Sequence, residues 1–170
     1  PSILNLTAYE TRLDERRPFF VESANFFKNR INLFHSRRIG QRPDYFSPEV
    51  GSIIDQPQET TILGAIKLLG EGASGFRYGF IDVITDREYG TREYDEDGQL
   101  KQDQFLLEPY KNYLIGRIQK PVINDLSTIG ITATDLRRQN DNNLSRAFSL
   151  DWRIILRESK FSFSGQLINS

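Results

Sequence analysis

At 170 residues, with 38% hydrophobic and 26% charged side chains, the chain is long enough for one globular domain with a real core and is not a disordered polymer. Its formal net charge of -1 argues against nucleic acid as a partner, because phosphate binding usually draws on a basic excess. No stretch approaches the ~18 to 20 consecutive apolar residues of a membrane helix, which excludes a helical membrane protein but not a β-barrel, whose alternating strands average to ordinary hydropathy.

The chain holds no Cys, so a disulfide framework and thiolate metal sites are excluded, and no Met, which predicts a processed piece or an excerpt of a longer product. Residues 1–59 read as an irregular segment. Within it, 3–9 and 30–36 alternate enough to predict short strands, and 18–28 predicts a short helix with Pro18 in its first turn. Residues 40–57, with Pro43, Pro48, Gly51 and Pro57, read as a connecting loop.

From residue 60 to 170 the pattern is that of antiparallel strands. Residues 62–69 and 76–85 form a hairpin pair across the Gly-rich connector 71–75. The polar stretch 86–109 has a turn at Asp95-Glu96-Asp97-Gly98 and can form a protruding ribbon of its own. Residues 113–119 and 127–134 make a second pair, with Pro121 in the connector fitting a turn or a strand end. A second long polar loop is expected over 135–146, with Arg137, Arg138 and the Asn140-Asp141-Asn142-Asn143 run. Residues 147–157 and 161–168 then close a third hairpin. In that hairpin Phe148, Leu150, Trp152, Ile154 and Leu156 share one face and Ser149, Asp151 and Arg153 the other, which suits a barrel wall in lipid as well as an ordinary soluble sheet. Connectors that alternate short and long match the two rims of an outer-membrane barrel.

Several segments together resemble a family of bacterial outer-membrane β-barrel domains that follow a carbohydrate-binding module family 9-like domain. They are Leu4-Asn5-Leu6-Thr7-Ala8-Tyr9-Glu10, Glu15-Arg16-Arg17-Pro18-Phe19-Phe20-Val21-Glu22 and Leu33-Phe34-His35-Ser36-Arg37-Arg38-Ile39-Gly40, with further matches at Ile62-Leu63-Gly64-Ala65-Ile66-Lys67-Leu68, Asn112-Tyr113 with Gly116-Arg117-Ile118-Gln119, Ser127-Thr128-Ile129-Gly130 and Asp151-Trp152-Arg153. His35 stands where the family would have tyrosine, and Val21 where leucine is commoner. The resemblance implies a location in the bacterial outer membrane and a carbohydrate-related parent, with any sugar-binding module outside these residues.

Arg16, Arg17, Arg37 and Arg38 lie near Asp14, Glu15 and Glu22 in sequence, which predicts a salt-bridge network fastening the first segment to a barrel interior or rim, or a charged constriction that gates solutes. His35 and Ser36 are adjacent and would point to opposite faces of a strand, so they do not pair as nucleophile and base. Asp95, Asp97 and Gly98 resemble the start of a calcium loop but lack its later ligands, which favours a turn. Asp82 and Asp86 are candidate lumen carboxylates, and Tyr78, Tyr110, Tyr113 and Trp152 are candidate interfacial girdle residues. Asn5-Leu6-Thr7 and Asn143-Leu144-Ser145 match a glycosylation acceptor pattern, to which no function is given. The expectation is an all-β section of an outer-membrane barrel wall, about six to eight antiparallel strands. It would serve transport or surface anchoring, with the lipid bilayer as partner and with no catalytic residue, cofactor or metal. The alternative is a soluble antiparallel β domain that presents its long loops to a ligand or protein partner.

Overall fold

The computed structural model describes residues 15–22, 24–139, 145–156 and 160–170. The strand expected over 3–9, Asp14, the 140–143 run, both glycosylation patterns in whole or in part, and most of the last hairpin's connector lie outside the described residues. The described chain begins with two single helical turns, α1 (Pro18–Val21) and α2 (Ala24–Phe27), which lie within the stretch predicted as one short helix; Pro18 sits in the first turn, where its missing N–H leaves no hydrogen bond unmade. The strand predicted over 30–36 does not form. The apolar residues there serve a segment that leaves α2 and ends in a 3-10 turn over Ser36–Arg38, and Phe34 packs against the core rather than on a strand face.

Nine strands follow among the described residues. β1 (Ser52–Asp55) lies inside the stretch expected to be a plain loop, and pairs with β4 (Glu88–Glu96), which in turn pairs with β5 (Gln99–Glu108). The β4–β5 hairpin is the predicted ribbon. Its turn places Asp97 at φ 56° and Gly98 at φ 77°, successive left-handed residues that match the strand twist of a tight hairpin. The remaining strands, β2 (Ile62–Glu71), β3 (Arg77–Thr85), β6 (Lys111–Pro121), β7 (Thr128–Arg138), β8 (Ser145–Leu156) and β9 (Phe161–Asn169), form one antiparallel sheet in the order β2-β3-β6-β7-β8-β9. It is a meander interrupted once, between β3 and β6, by the ribbon. Pro121 ends β6, where no further ladder hydrogen bond is needed. The loop predicted over 135–146 is shorter, because β7 runs on to Arg138 and β8 starts at Ser145, and the cross-strand pairs Leu136↔Ser145 and Asp135↔Arg146 extend the hairpin. Among the described residues the sheet does not close on itself; β2 and β9 are its edges.

Side chains on opposite sheet faces have opposite surroundings. On one face Ile81, Val83 and Ile115 are buried beneath Phe20, Phe27 and Ile39, with Phe19, Phe26, Phe34, Ile62, Leu69 and Tyr113 around them. Residues 15–39 thus lie across that face, called inner below. Gly79 makes this approach possible, since a Cβ there would stand 2.6 Å from the Phe26 ring and 2.7 Å from Phe27.

Candidate functional site

The register of each strand pair assigns the other, outer face. Starting from β2 it carries Ile66 and Leu68, then Tyr78 and Phe80, then Leu114 and Ile118, then Ile129 and Ile131, and ends with Phe148, Leu150, Trp152, Ile154 and Leu156 opposite Leu167, Phe163 and Phe161. Leu114, Ile131, Leu150, Trp152 and Ile154 are half-buried among their neighbours, but the others are exposed to a degree unusual for their chemistry, reaching 68% at Ile66, 56% at Leu68, 61% at Phe163 and 63% at Leu167. The two bulkiest residues of this face each cover a cross-strand glycine: Tyr78 lies over Gly70 and Trp152 over Gly165, positions where a Cβ would meet the ring at 2.2 and 2.3 Å.

The apolar band does not follow the rows of paired residues. From Ile66 the row leads through Asp82 and Leu114 to Asp135 and Arg146, so a row that starts in the band on β2 ends in charge on β8. From Trp152 the row leads back through Ile129 to Lys120. Between β2 and β9 the centre of the band moves along the strands by about six residues, or about 1.2 residues per strand-to-strand step.

The inner face is polar towards β7, β8 and β9. Arg117 on β6, 4% exposed, donates two hydrogen bonds to Asp151 on β8, at 2.6 and 2.9 Å, and one to Thr132 Oγ1 on β7 at 2.7 Å. Gly130, between them, has no Cβ to push this fork away; one would come within 2.7 Å of the guanidinium. The first segment fastens here. Asn29 Nδ2 donates to Thr132 Oγ1 at 3.0 Å and to Ser149 Oγ at 3.2 Å, Arg30 donates to Ser164, and Ile31 N–H donates to Gln166 Oε1 at 2.7 Å while Gln166 donates back to the Ile31 carbonyl. One strap of chain therefore buries aromatic rings against β3 and β6 and makes polar bonds to β7, β8 and β9.

The arginine motifs divide in their roles. Arg17 donates to both oxygens of Glu15, to the Ile39 carbonyl at 2.7 Å and to the Ser36 carbonyl at 2.8 Å, and its guanidinium stacks 4.4 Å over the Phe20 ring. It ties the start of the strap to the turn at 36–39. The Arg17 guanidinium, against the opposing effect of burial and with help from the Ser36 hydroxyl, holds the Glu15 carboxyl down to about 2. Glu22 does not join the arginines; its carboxylate lies 3.6 Å from Lys67 Nζ, and Lys67 also donates to the carbonyls of Phe19 and Glu22. Arg37 and Arg38 sit in the 3-10 turn itself, and Arg16 precedes α1 with its backbone N–H donating to Glu15.

Other predicted positions are relocated by the register. Asp82 faces the outer side, where Asn112 donates to it, and not the covered face; Asp86 lies past the end of β3. Tyr113 faces inward and packs on the aromatic core, which removes it from an interfacial girdle, whereas Tyr78 and Trp152 remain on the outer face. Asp95 Oδ1 accepts from Gly98 N–H at 2.8 Å, the closing bond of a turn. Among the described residues no group of three or more His, Asp or Glu side chains is placed to hold a metal ion. Ser36 donates to Glu15 rather than to His35. The Arg117–Asp151 pair was not singled out from sequence: Asp151 stands out of phase with the apolar residues of β8, but Arg117 shares its face of β6 with Tyr113 and Ile115.

A family model described as Domain of unknown function (DUF5916) matches residues 1–170. The chain belongs to this family. Comparison with curated proteins and with solved structures returned no match. No described helix is long and apolar enough to cross a membrane, a statement that does not bear on strands.

Proposed function

We propose that the DUF5916 sheet is a section of an outer-membrane β-barrel wall, with lipid on its outer face and the residue 15–39 strap on its luminal side. The observation that carries this reading is the inversion of the sheet. Its outer face is apolar from β2 to β9 and largely exposed, whereas the inner face is apolar only over β2, β3 and β6, where the strap covers it, and is polar over β7 and β8, with a buried Arg–Asp pair. A soluble sheet places its larger apolar face in the core. The stagger of the apolar band adds support. With a rise of about 3.3 Å per residue and strands about 4.8 Å apart, about 1.2 residues per step makes the band level only if the strands tilt by about 40°, within the tilt of membrane barrels.

In this reading the role is non-catalytic, in transport or surface anchoring. The strap is fastened by Arg17, Asn29, Arg30 and Lys67 and narrows whatever lumen the wall encloses. Any carbohydrate-related role would belong to a parent protein carrying a sugar-binding module, as the sequence resemblance implies. The β1-β4-β5 sheet extends the connection between β3 and β6, at the rim where barrels carry their long loops.

A second reading, a soluble β domain that presents its ribbon to a partner, draws on the aromatic core between strap and sheet and on the two open edges. Fractionation of a bacterial host expressing the full-length protein separates the two. Outer-membrane recovery with a band that shifts on boiling is the expected result, and a soluble, unshifted protein would overturn the barrel reading. Trp152→Asp should abolish membrane recovery if Trp152 faces lipid.

A further inference from the structure

The outer face is not uniformly filled. A depression of about 440 Å³ runs over Gly116 and Ala133, walled by Phe80 and Phe148, with Leu114 at its side and Asp135 and Arg146 at one end. Its floor is smooth because two neighbouring strands present their smallest side chains at the same level, Gly116↔Ala133; a Cβ on Gly116 would meet nothing within 4 Å. The volume falls within the usual range for small-ligand sites, and most of the lining is apolar.

The charged end is cationic in the balance of its own cluster. Asp135 accepts from Arg146 at 3.1 Å and from Arg137 at 2.8 Å, and both guanidinium groups stay largely exposed, at 58% and 62%, with N–H donors to spare. One carboxylate thus holds two arginines. Asp82, the other carboxylate on this row, is engaged by Asn112. A ligand that suits this site has a long apolar chain for the crevice and a negative head for the arginine pair, and guanidinium forks match phosphate oxygens.

From this geometry we infer that the crevice seats an acyl chain of an anionic, phosphate-bearing lipid of the surrounding bilayer, with its phosphate at Arg146 and Arg137. The inference rests on the lipid-facing reading of the outer face. It adds a specific site to that reading, where a plain lipid wall would show no preference among lipids.

The test is photocrosslinking in the full-length protein in its host membrane. A benzophenone amino acid replaces Phe148, on the crevice wall, or Phe163, on the same face away from the crevice; both are aromatic-for-aromatic changes. The adducts are released and their lipids identified by mass spectrometry. Expected are lipid adducts at both positions, with the share of anionic phosphate lipid about fivefold higher at position 148 than at 163, and with that excess lost in Arg146→Gln. Equal lipid composition at the two positions, or an excess untouched by Arg146→Gln, would overturn the crevice while leaving the membrane wall standing. Absence of lipid adducts at both positions would overturn the membrane reading itself.

Discussion

Leu68→Arg places a charge in the middle of the apolar band on β2, beside Phe80 across the β2–β3 pair. Leu68 is already 56% exposed, so in a soluble domain the new side chain reaches water at once and changes stability by no more than about 0.5 kcal/mol. In hydrocarbon the same arginine has no water to reach at mid-depth, and the cost is about 2–4 kcal/mol. At about 3 kcal/mol the folded-to-unfolded ratio falls by about 150-fold. The assay is equilibrium denaturant unfolding of the full-length protein refolded into lipid vesicles. Glu71→Arg, at the turn end of the same strand but on its inner face and away from lipid, serves as the control and should change stability by no more than about 0.5 kcal/mol. The contrast between the two positions carries the argument. If Leu68→Arg unfolds within about 0.5 kcal/mol of the parent protein, Leu68 is not in hydrocarbon and the assignment of the outer face fails.

Asp151→Ala leaves the buried Arg117 guanidinium without its counter-charge and should cost about 3–5 kcal/mol, whereas replacing the pair together by Arg117→Met and Asp151→Leu should be close to neutral; unfolding midpoints of the two variants decide this. Gly79→Ala forces a methyl to within 2.6 Å of Phe26 and should cost about 1–3 kcal/mol, measured as faster amide exchange in residues 24–27 as the strap is pushed off the sheet. Glu15 has a folded carboxyl at about 2 against an ordinary 4.5, so its contribution is fully present above pH 4.5 and is lost as pH falls towards 2. After solvent screening that contribution is about 1 kcal/mol, and Glu15→Gln should flatten this part of the stability–pH curve; an unchanged slope between pH 5 and pH 2 would refute the role given to the Glu15–Arg17 pair.

Local chemistry alone made most of the sheet legible. The period-2 alternation at Phe148, Leu150, Trp152, Ile154 and Leu156 is enough to define β8 and to show that its two faces differ, because successive side chains of a strand must point in opposite directions. Asp97-Gly98 marked the ribbon's tip because successive residues with positive φ are needed there. Pro18 marked the first helical turn for an equally local reason. Alternation misled at residues 30–36, where apolar spacing serves contact with a sheet rather than membership of one, and it missed β1, a four-residue edge strand that exists only because β4 offers it a partner.

Tertiary structure alone decided which face is covered. Nothing within β3 says that Ile81 and Val83 lie under an aromatic strap while Phe80 does not; that choice is made by Phe20 and Phe27, far earlier in the chain. Arg117 meets Asp151 only when β6, β7 and β8 align in register, and Asn29 reaches Thr132 and Ser149 across 103 and 120 residues of sequence. Sequence fixes strand periodicity because that is a property of neighbouring residues. Which face is covered is a property of contacts between distant ones, and no local pattern encodes it.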